Sequence, residues 1–242
     1  VTLDFSKAEL ERYSRQILLH GIAAQRRLKA ARVLVIGAGG LGATLLPSLA
    51  AAGIGSITIV DGDRVEQSNL GRQNIFRERD IGRQKALVAK EFLHDLNPHI
   101  SVTAVERAFN AGDAGLVAAA NIVCEGSDSL ANKFLVNDLA LRANRPAFIA
   151  ALGKDQGHAM FIHHSVSACY RCVFDEIDAS VLPTCAGEGI LSTFPAVVSA
   201  SVAHALVNHL LTPLDAGTLW LFEKNHCRNI QIKKRKGCDR HP

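Results

Sequence analysis

Residues Val33 to Gly42 read Val-Leu-Val-Ile-Gly-Ala-Gly-Gly-Leu-Gly, and no other stretch of the chain restricts its fold so strongly. Four apolar residues make a buried strand. Gly37, Gly39 and Gly42 then fall at G-x-G-x-x-G spacing, and the apolar run from Leu41 to Ala52 continues as a helix. A strand that turns this tightly into a helix leaves main-chain N–H groups and the positive end of the helix dipole facing the turn, a geometry that binds phosphate. A Cβ at the glycines would block the turn or the approach of a ligand. NAD, FAD and ATP sites share this motif, so the residues that follow decide between them.

Downstream, strand-like and helix-like segments alternate. Helices are expected over Lys7–Leu19, with Ser6 as N-cap and Glu9 completing a capping box, near Ala23–Leu28, over Gln84–Leu96, and from Ser127-Asp128 to about Ala143. Strands are expected at Ser56–Val60, Ser101–Val105, Ala120–Cys124 and Pro146–Ala150. This order predicts an α/β fold, Rossmann-like and doubly wound, with a mainly parallel sheet. After Gly157 the pattern changes. His158–His163, Thr218–Phe222 and Asn229–Lys233 read as antiparallel C-terminal strands, and one long helix over Pro195–Leu211 lies between them. A chain of 242 residues suffices for one large domain of this kind.

Composition excludes several classes. Apolar residues make up 48% and charged residues 21%. No uninterrupted apolar run reaches the ~18 residues of a membrane span, and no secretory signal is visible, so a cytoplasmic protein without membrane attachment is expected. The net charge of +4 is modest, and much of it comes from Lys233, Lys234, Arg235 and Lys236. With only 5% aromatic residues there is little to stack on bases, so nucleic acid is not an expected partner. Six cysteines in a chain without a secretion signal point to metal binding or thiol chemistry rather than disulfides.

Asp61 ends the second strand, where a doubly wound fold sets an acid against a nucleotide ribose, and Asp63 follows in the same Asp-Gly-Asp turn. The cluster Asn69-Leu-Gly-Arg72-Gln73 and the later Gly82-Arg-Gln-Lys85 are polar and basic beyond what a dehydrogenase needs. Arg72 and Lys85 are suited to neutralising phosphate oxygens, which moves the reading from a dinucleotide toward ATP. Asp128 follows the fourth strand, at the sheet edge where ligands sit. It is a candidate Mg2+ ligand alongside phosphate oxygens and also a candidate helix N-cap. Cys169-Tyr-Arg-Cys172 has zinc-ligand spacing, and Cys238-Asp-Arg-His241 supplies a second pair, with Cys227 in reserve. Cys185, in Pro183-Thr-Cys-Ala-Gly-Glu-Gly189, is either a nucleophilic thiol or a small buried residue.

Taken in order, these segments resemble the ThiF/MoeB/HesA group of adenylyltransferases, bacterial relatives of ubiquitin-activating enzymes. The likeness runs over nearly the whole chain. Arg12-Tyr-Ser-Arg15-Gln16 is similar to the group's N-terminal R-Y-x-R-Q. The loop ending Gly37-Ala-Gly39-Gly40-Leu-Gly42 is similar to its nucleotide loop, and Asp61-x-Asp63, Ser68-Asn69-Leu-x-Arg72-Gln73, Gly82-x-x-Lys85 and Cys169-x-x-Cys172 follow at its spacings. The resemblance implies ATP- and Mg2+-dependent adenylation of the C-terminal Gly-Gly carboxylate of a ubiquitin-like sulfur carrier protein, for thiamine or molybdopterin synthesis. It further implies Zn2+ at the cysteine pairs, Asp61 on the ribose, Arg72 and Lys85 on the phosphates, Asp128 on Mg2+, and Arg15 reaching the triphosphate across a homodimer interface. Cys185 matches a thiol that some members use after adenylation. On this reading residues 1–242 form a single domain, with a nucleotide-binding part over about 1–155 and a carrier-binding and zinc part over about 156–242. No sulfurtransferase domain follows, so a separate sulfur donor protein is expected.

Three departures stand out. The group's Asp-x-Thr-Asp-Asn is Glu125-Gly-Ser-Asp128-Ser129 here, which loses the Asn. Its C-terminal CxxC is Cys238-x-x-His241. Its glycine-rich segment after the thiol is Ile190-Leu-Ser-Thr-Phe-Pro-Ala. Rival readings are activation of another carboxylate (a peptide terminus or a tRNA base), an NAD(P)-dependent oxidoreductase, and a scaffold without turnover.

Overall fold

The computed structural model describes residues 5–163, 167–174, 189–223 and 226–238. One eight-stranded sheet runs through them in the order β3-β2-β1-β4-β5-β6-β7-β8. The strands are β1 (Arg32–Ile36), β2 (Ser56–Val60), β3 (Ser101–Val105), β4 (Ile122–Glu125), β5 (Ala147–Leu152), β6 (Gln156–Ile162), β7 (Thr218–Glu223) and β8 (His226–Gln231). The first five pair in parallel and the last three add on antiparallel, as the sequence pattern predicts.

Side chains of β1 alternate between two cores, as the two-residue period of a strand requires. Val33 and Val35 face the core built with α4 (Gly42–Ala52), α5 (Lys85–Leu96) and α9 (Phe194–Leu211). Leu34 and Ile36 face a second core with α6 (Ala114–Ala119) and α7 (Leu130–Ala143), against which α8 (Tyr170–Val173) also packs. A sheet covered on both faces explains why β1 and β4 are apolar almost throughout. From β1 the chain winds outward through β2 to β3, then returns to β4 on the other side of β1. The carboxyl ends of β1 and β4 therefore flank the topological switch point, where ligands of doubly wound sheets bind.

Some expectations need correction. Lys7–Leu19 is not one helix. It divides at Tyr13 into α1 (Lys7–Arg12) and α2 (Ser14–His20), followed by α3 (Ile22–Ala30). The break lets the buried Tyr13 hydroxyl accept a hydrogen bond from Asn97 Nδ2 at 2.8 Å, a tertiary contact that local sequence does not announce. The Ser6–Glu9 capping box is present. The last strand covers His226–Gln231 rather than Asn229–Lys233, because pairing of Glu223 with His226 through Thr218 with Gln231 fixes its register. Among the described residues one helix, α9, is long and apolar enough to cross a membrane by length and composition, although Ser199, Ser201, His204, Asn208 and His209 interrupt it. Its Val198, Val202 and Leu206 lie in the core against α4 and the sheet.

Candidate nucleotide site and thiol cluster

The glycine loop is shaped by close backbone contacts. Gly37 has φ +94°, and a Cβ there would come within 2.9 Å of the Ser127 nitrogen; a Cβ on Gly42 would lie 2.3 Å from the Gly37 carbonyl oxygen. Gly37 and Gly42 are thus required by the turn itself, and Gly37 brings the loop after β1 against the loop after β4. Gly39 and Gly40 are less crowded, and a Cβ on Gly40 would meet Pro195 Cβ at an ordinary contact distance of 3.5 Å. A Cβ on Gly39 would sit 3.7 Å from Gln73 Nε2, and one on Gly40 would sit 4.0 Å from Arg72 Nε. Helix α4 begins without a side-chain cap, and the amides of Gly39, Gly40 and Leu41 have no acceptor among the described residues. These free donors, at the positive end of an 11-residue helix, suit an anion.

Asp61 braces the loop. Its Oδ2 accepts the Ala38 N–H at 2.7 Å and its Oδ1 accepts the Asp63 N–H at 2.8 Å. Burial pushes its carboxyl above the ordinary value, against the pull of those two amides and of the Lys85 charge. Lys85 is buried at the start of α5 and its Nζ donates to Asp63 Oδ2 at 2.9 Å. Asn69 organises the turn beyond β2: its Oδ1 accepts the Glu66 N–H, and its carbonyl accepts the N–H groups of Arg72 and Gln73. Arg72 Nη1 donates to the Ser68 carbonyl at 2.9 Å. Gln73 is buried beside Gly39, and its Oε1 has no hydrogen-bond partner. A buried acceptor left unsatisfied costs about 1–3 kcal/mol.

Asp128 stands exposed after β4. The N-cap of α7 is Ser129, whose side chain accepts the Asn132 N–H at 3.2 Å, and Asp128 does not serve as the cap. Serine caps a helix as well as asparagine does, so the loss of the Asn leaves this helix start intact. Arg15 lies on the exposed side of α2. Its neighbour Gln16 donates to the Ala52 carbonyl at 3.1 Å, at the end of α4 remote from the glycine loop. Cys185 and His241 lie outside the described residues.

Cys169 Sγ is 3.8 Å from both Cys172 Sγ and Cys238 Sγ, and all three sulfurs lie within 4.8 Å of one another. Thiolates at about 2.3 Å from a tetrahedral zinc ion stand about 3.8 Å apart, so the cluster fits three corners of such a site. Cys227 is exposed on β8 and is not part of the cluster.

The sequence reading missed a buried polar chain next to Asp128. Lys133 on α7 pairs with Glu125 at 2.6 Å, and His158 on β6 pairs with the Tyr170 hydroxyl at 2.9 Å. The available signal was a lysine and an asparagine, Lys133 and Asn137, on the buried stripe of a helix otherwise lined by Val136, Ala140 and Leu141. It also missed the docking of α9 on the glycine loop, where Ser199 Oγ donates to the Leu41 carbonyl at 2.8 Å.

Fold and site together define a nucleotide-binding α/β domain, wound so that its phosphate-type loop and an exposed carboxylate meet at one sheet edge. The ThiF family model matches residues 13–240, and the chain belongs to that family. It is 36% identical to a sulfur carrier protein adenylyltransferase of Thermus thermophilus over 248 aligned residues, covering 97% of this chain and 91% of the relative. It is 37% identical to a SAMP-activating enzyme E1 of Haloferax volcanii, covering 89% of this chain and 81% of the relative. A crystal structure of Escherichia coli MccB with ATP superposes with a TM-score of 0.84 at 26% identity, covering 97% of this chain and 74% of that one.

Proposed function

We propose that this chain adenylates the C-terminal Gly-Gly carboxylate of a ubiquitin-like sulfur carrier protein. The observation that carries the reading is the uncapped start of α4, whose free amides belong to a glycine loop with the Arg72 and Gln73 side chains beside it. ATP would be held there: main-chain N–H groups would take phosphate oxygens, Asp61 would offer its remaining lone pairs to the ribose, and Arg72 and Lys85 would offset negative charge. Lys85 then exchanges part of its bond to Asp63 for phosphate. The carrier carboxylate attacks the α-phosphorus, an acyl–phosphate bond forms, and pyrophosphate leaves. Positioning and charge neutralisation supply most of the catalysis. Asp128 would hold Mg2+, which when bound offsets the charge on the phosphate oxygens.

The reading extends to a homodimer. Helix α4 spans about 16 Å, and Arg15 is tethered near its far end, so Arg15 is remote from the glycine loop of its own chain. Leu18 and Leu19 are 79% and 75% exposed on the same short helix. A second copy covering this face would carry Arg15 to the partner's triphosphate. The thiol cluster would hold Zn2+, with His241 as fourth ligand. The sulfur donor would be a separate protein acting on the acyl-adenylate, with Cys185 as the candidate thiol of that later step. Residues 1–155 and 156–242 would be parts of one adenylyltransferase unit. The test is Asp128→Ala in carrier-dependent ATP–pyrophosphate exchange. Loss of exchange with an unchanged circular dichroism spectrum is expected, and undiminished exchange would remove Asp128 from the metal site.

A further inference from the structure

Lys133 lies on the first turn of α7, 4% exposed, with Glu125 beside it at 1%. Its ammonium has three protons, and all are used: Nζ donates to Glu125 Oε2 at 2.6 Å, to the Ser127 carbonyl at 2.7 Å and to the Ala150 carbonyl at 2.8 Å. Glu125 uses its other oxygen on the same loop, Oε1 accepting the Ser127 N–H at 2.9 Å. Ser127 is therefore held at both its main-chain groups. It is also the residue whose nitrogen meets the Cα of Gly37 so closely that a Cβ would not fit. Asp128 follows directly, with the helix cap Ser129 fixing its other side.

We infer that Glu125 and Lys133 form a positioning pair for adenylation, holding the Ser127–Ser129 turn so that Asp128 presents its carboxylate beside the glycine loop. The inference rests on the proposed role of Asp128 as the Mg2+ ligand. Neither member of the pair touches nucleotide; both act through the turn. A buried ion pair is poor value as a stabiliser alone, since well-packed apolar residues do as well or better. Here Lys133 also bonds two main-chain carbonyls, of Ser127 in the turn and Ala150 in β5, which apolar side chains could not do.

Glu125→Gln tests this with almost no change in volume. An amide accepts through one oxygen only, so its NH2 must face either the Ser127 N–H or Lys133, and one restraint is lost. The measurement is the Mg2+ concentration for half-maximal carrier-dependent pyrophosphate exchange, with melting temperature and bound zinc recorded alongside. The expected result is a rise of about 10–100-fold in that concentration, the range typical when a ligand's supporting partner is removed. The double variant Glu125→Gln/Lys133→Met, which buries no net charge, should show the same shift. Either variant, folded and with wild-type Mg2+ dependence, overturns the inference, as does a loss of rate that tracks only melting temperature. Asp128→Ala separates the two layers. If it changes Mg2+ dependence while the paired variants do not, the positioning role alone is wrong. If it too is without effect, the metal role of Asp128 fails first.

Discussion

Acid should weaken this fold through His158, by an amount the structure sets. The ring stacks on Phe174 with centroids 4.4 Å apart, and its Nε2 lies 2.9 Å from the Tyr170 hydroxyl. Burial, helped by the nearby Lys133 charge, pulls its pKa from an ordinary 6.5 down to about 4. Between these values the unfolded chain binds a proton that the folded protein refuses. The contribution of neutral His158 is therefore complete above pH 6.5 and drains away as pH falls toward 4. A gap of roughly 2.5 pH units corresponds to on the order of 3 kcal/mol, a substantial part of a typical domain's stability. His158→Phe keeps the stacking and removes the titration, at a pH-independent cost of about 1 kcal/mol for the Tyr170 hydroxyl bond. Urea unfolding of both proteins from pH ~7.5 to ~4.5 measures the difference. The wild type should be the more stable at neutral pH, and the variant should gain on it steadily below pH 6.5. Parallel stability profiles would refute the account of a neutral, buried imidazole.

Gly42→Ala places a methyl group 2.3 Å from the Gly37 oxygen; it should cost about 1–3 kcal/mol of stability and weaken ATP binding at least about tenfold by calorimetry. Cys238→Ser should lower bound zinc from near one ion per chain and reduce the melting temperature, and a wild-type protein purified without zinc would count against the thiol site. Arg15→Ala and Asp128→Ala should each be inactive alone. Mixed and reassembled, they should recover about a quarter of wild-type exchange, because half the dimers then carry one intact site; no recovery would argue against Arg15 acting in trans.

Much of the nucleotide end was legible because its determinants are local. Gly37, Gly39 and Gly42 sit between a buried strand and an apolar helix, and Asp61 ends the next strand, so sequence order alone brings them to one sheet edge. The division at Tyr13 was not legible, since its cause is Asn97, 84 residues away. The register of β8 depends on β7, and the Glu125–Lys133 pair depends on a turn between strand and helix that compositional reading treats as a cap. Asp128 was read as both metal ligand and cap. The cap is its neighbour Ser129, a shift of one residue that only backbone geometry decides. The thiol cluster was anticipated from spacing as two pairs, and the structure joins Cys238 to Cys169 and Cys172 across 69 residues of chain.

The most direct test of the account is to incubate the purified protein with ATP, Mg2+ and a candidate Gly-Gly-ended carrier, then weigh the carrier and follow exchange of labelled pyrophosphate. The account predicts a carrier heavier by one adenylyl group and exchange that requires the carrier. Equal exchange in the carrier's absence, or a carrier of unaltered mass with ATP left intact, would contradict it.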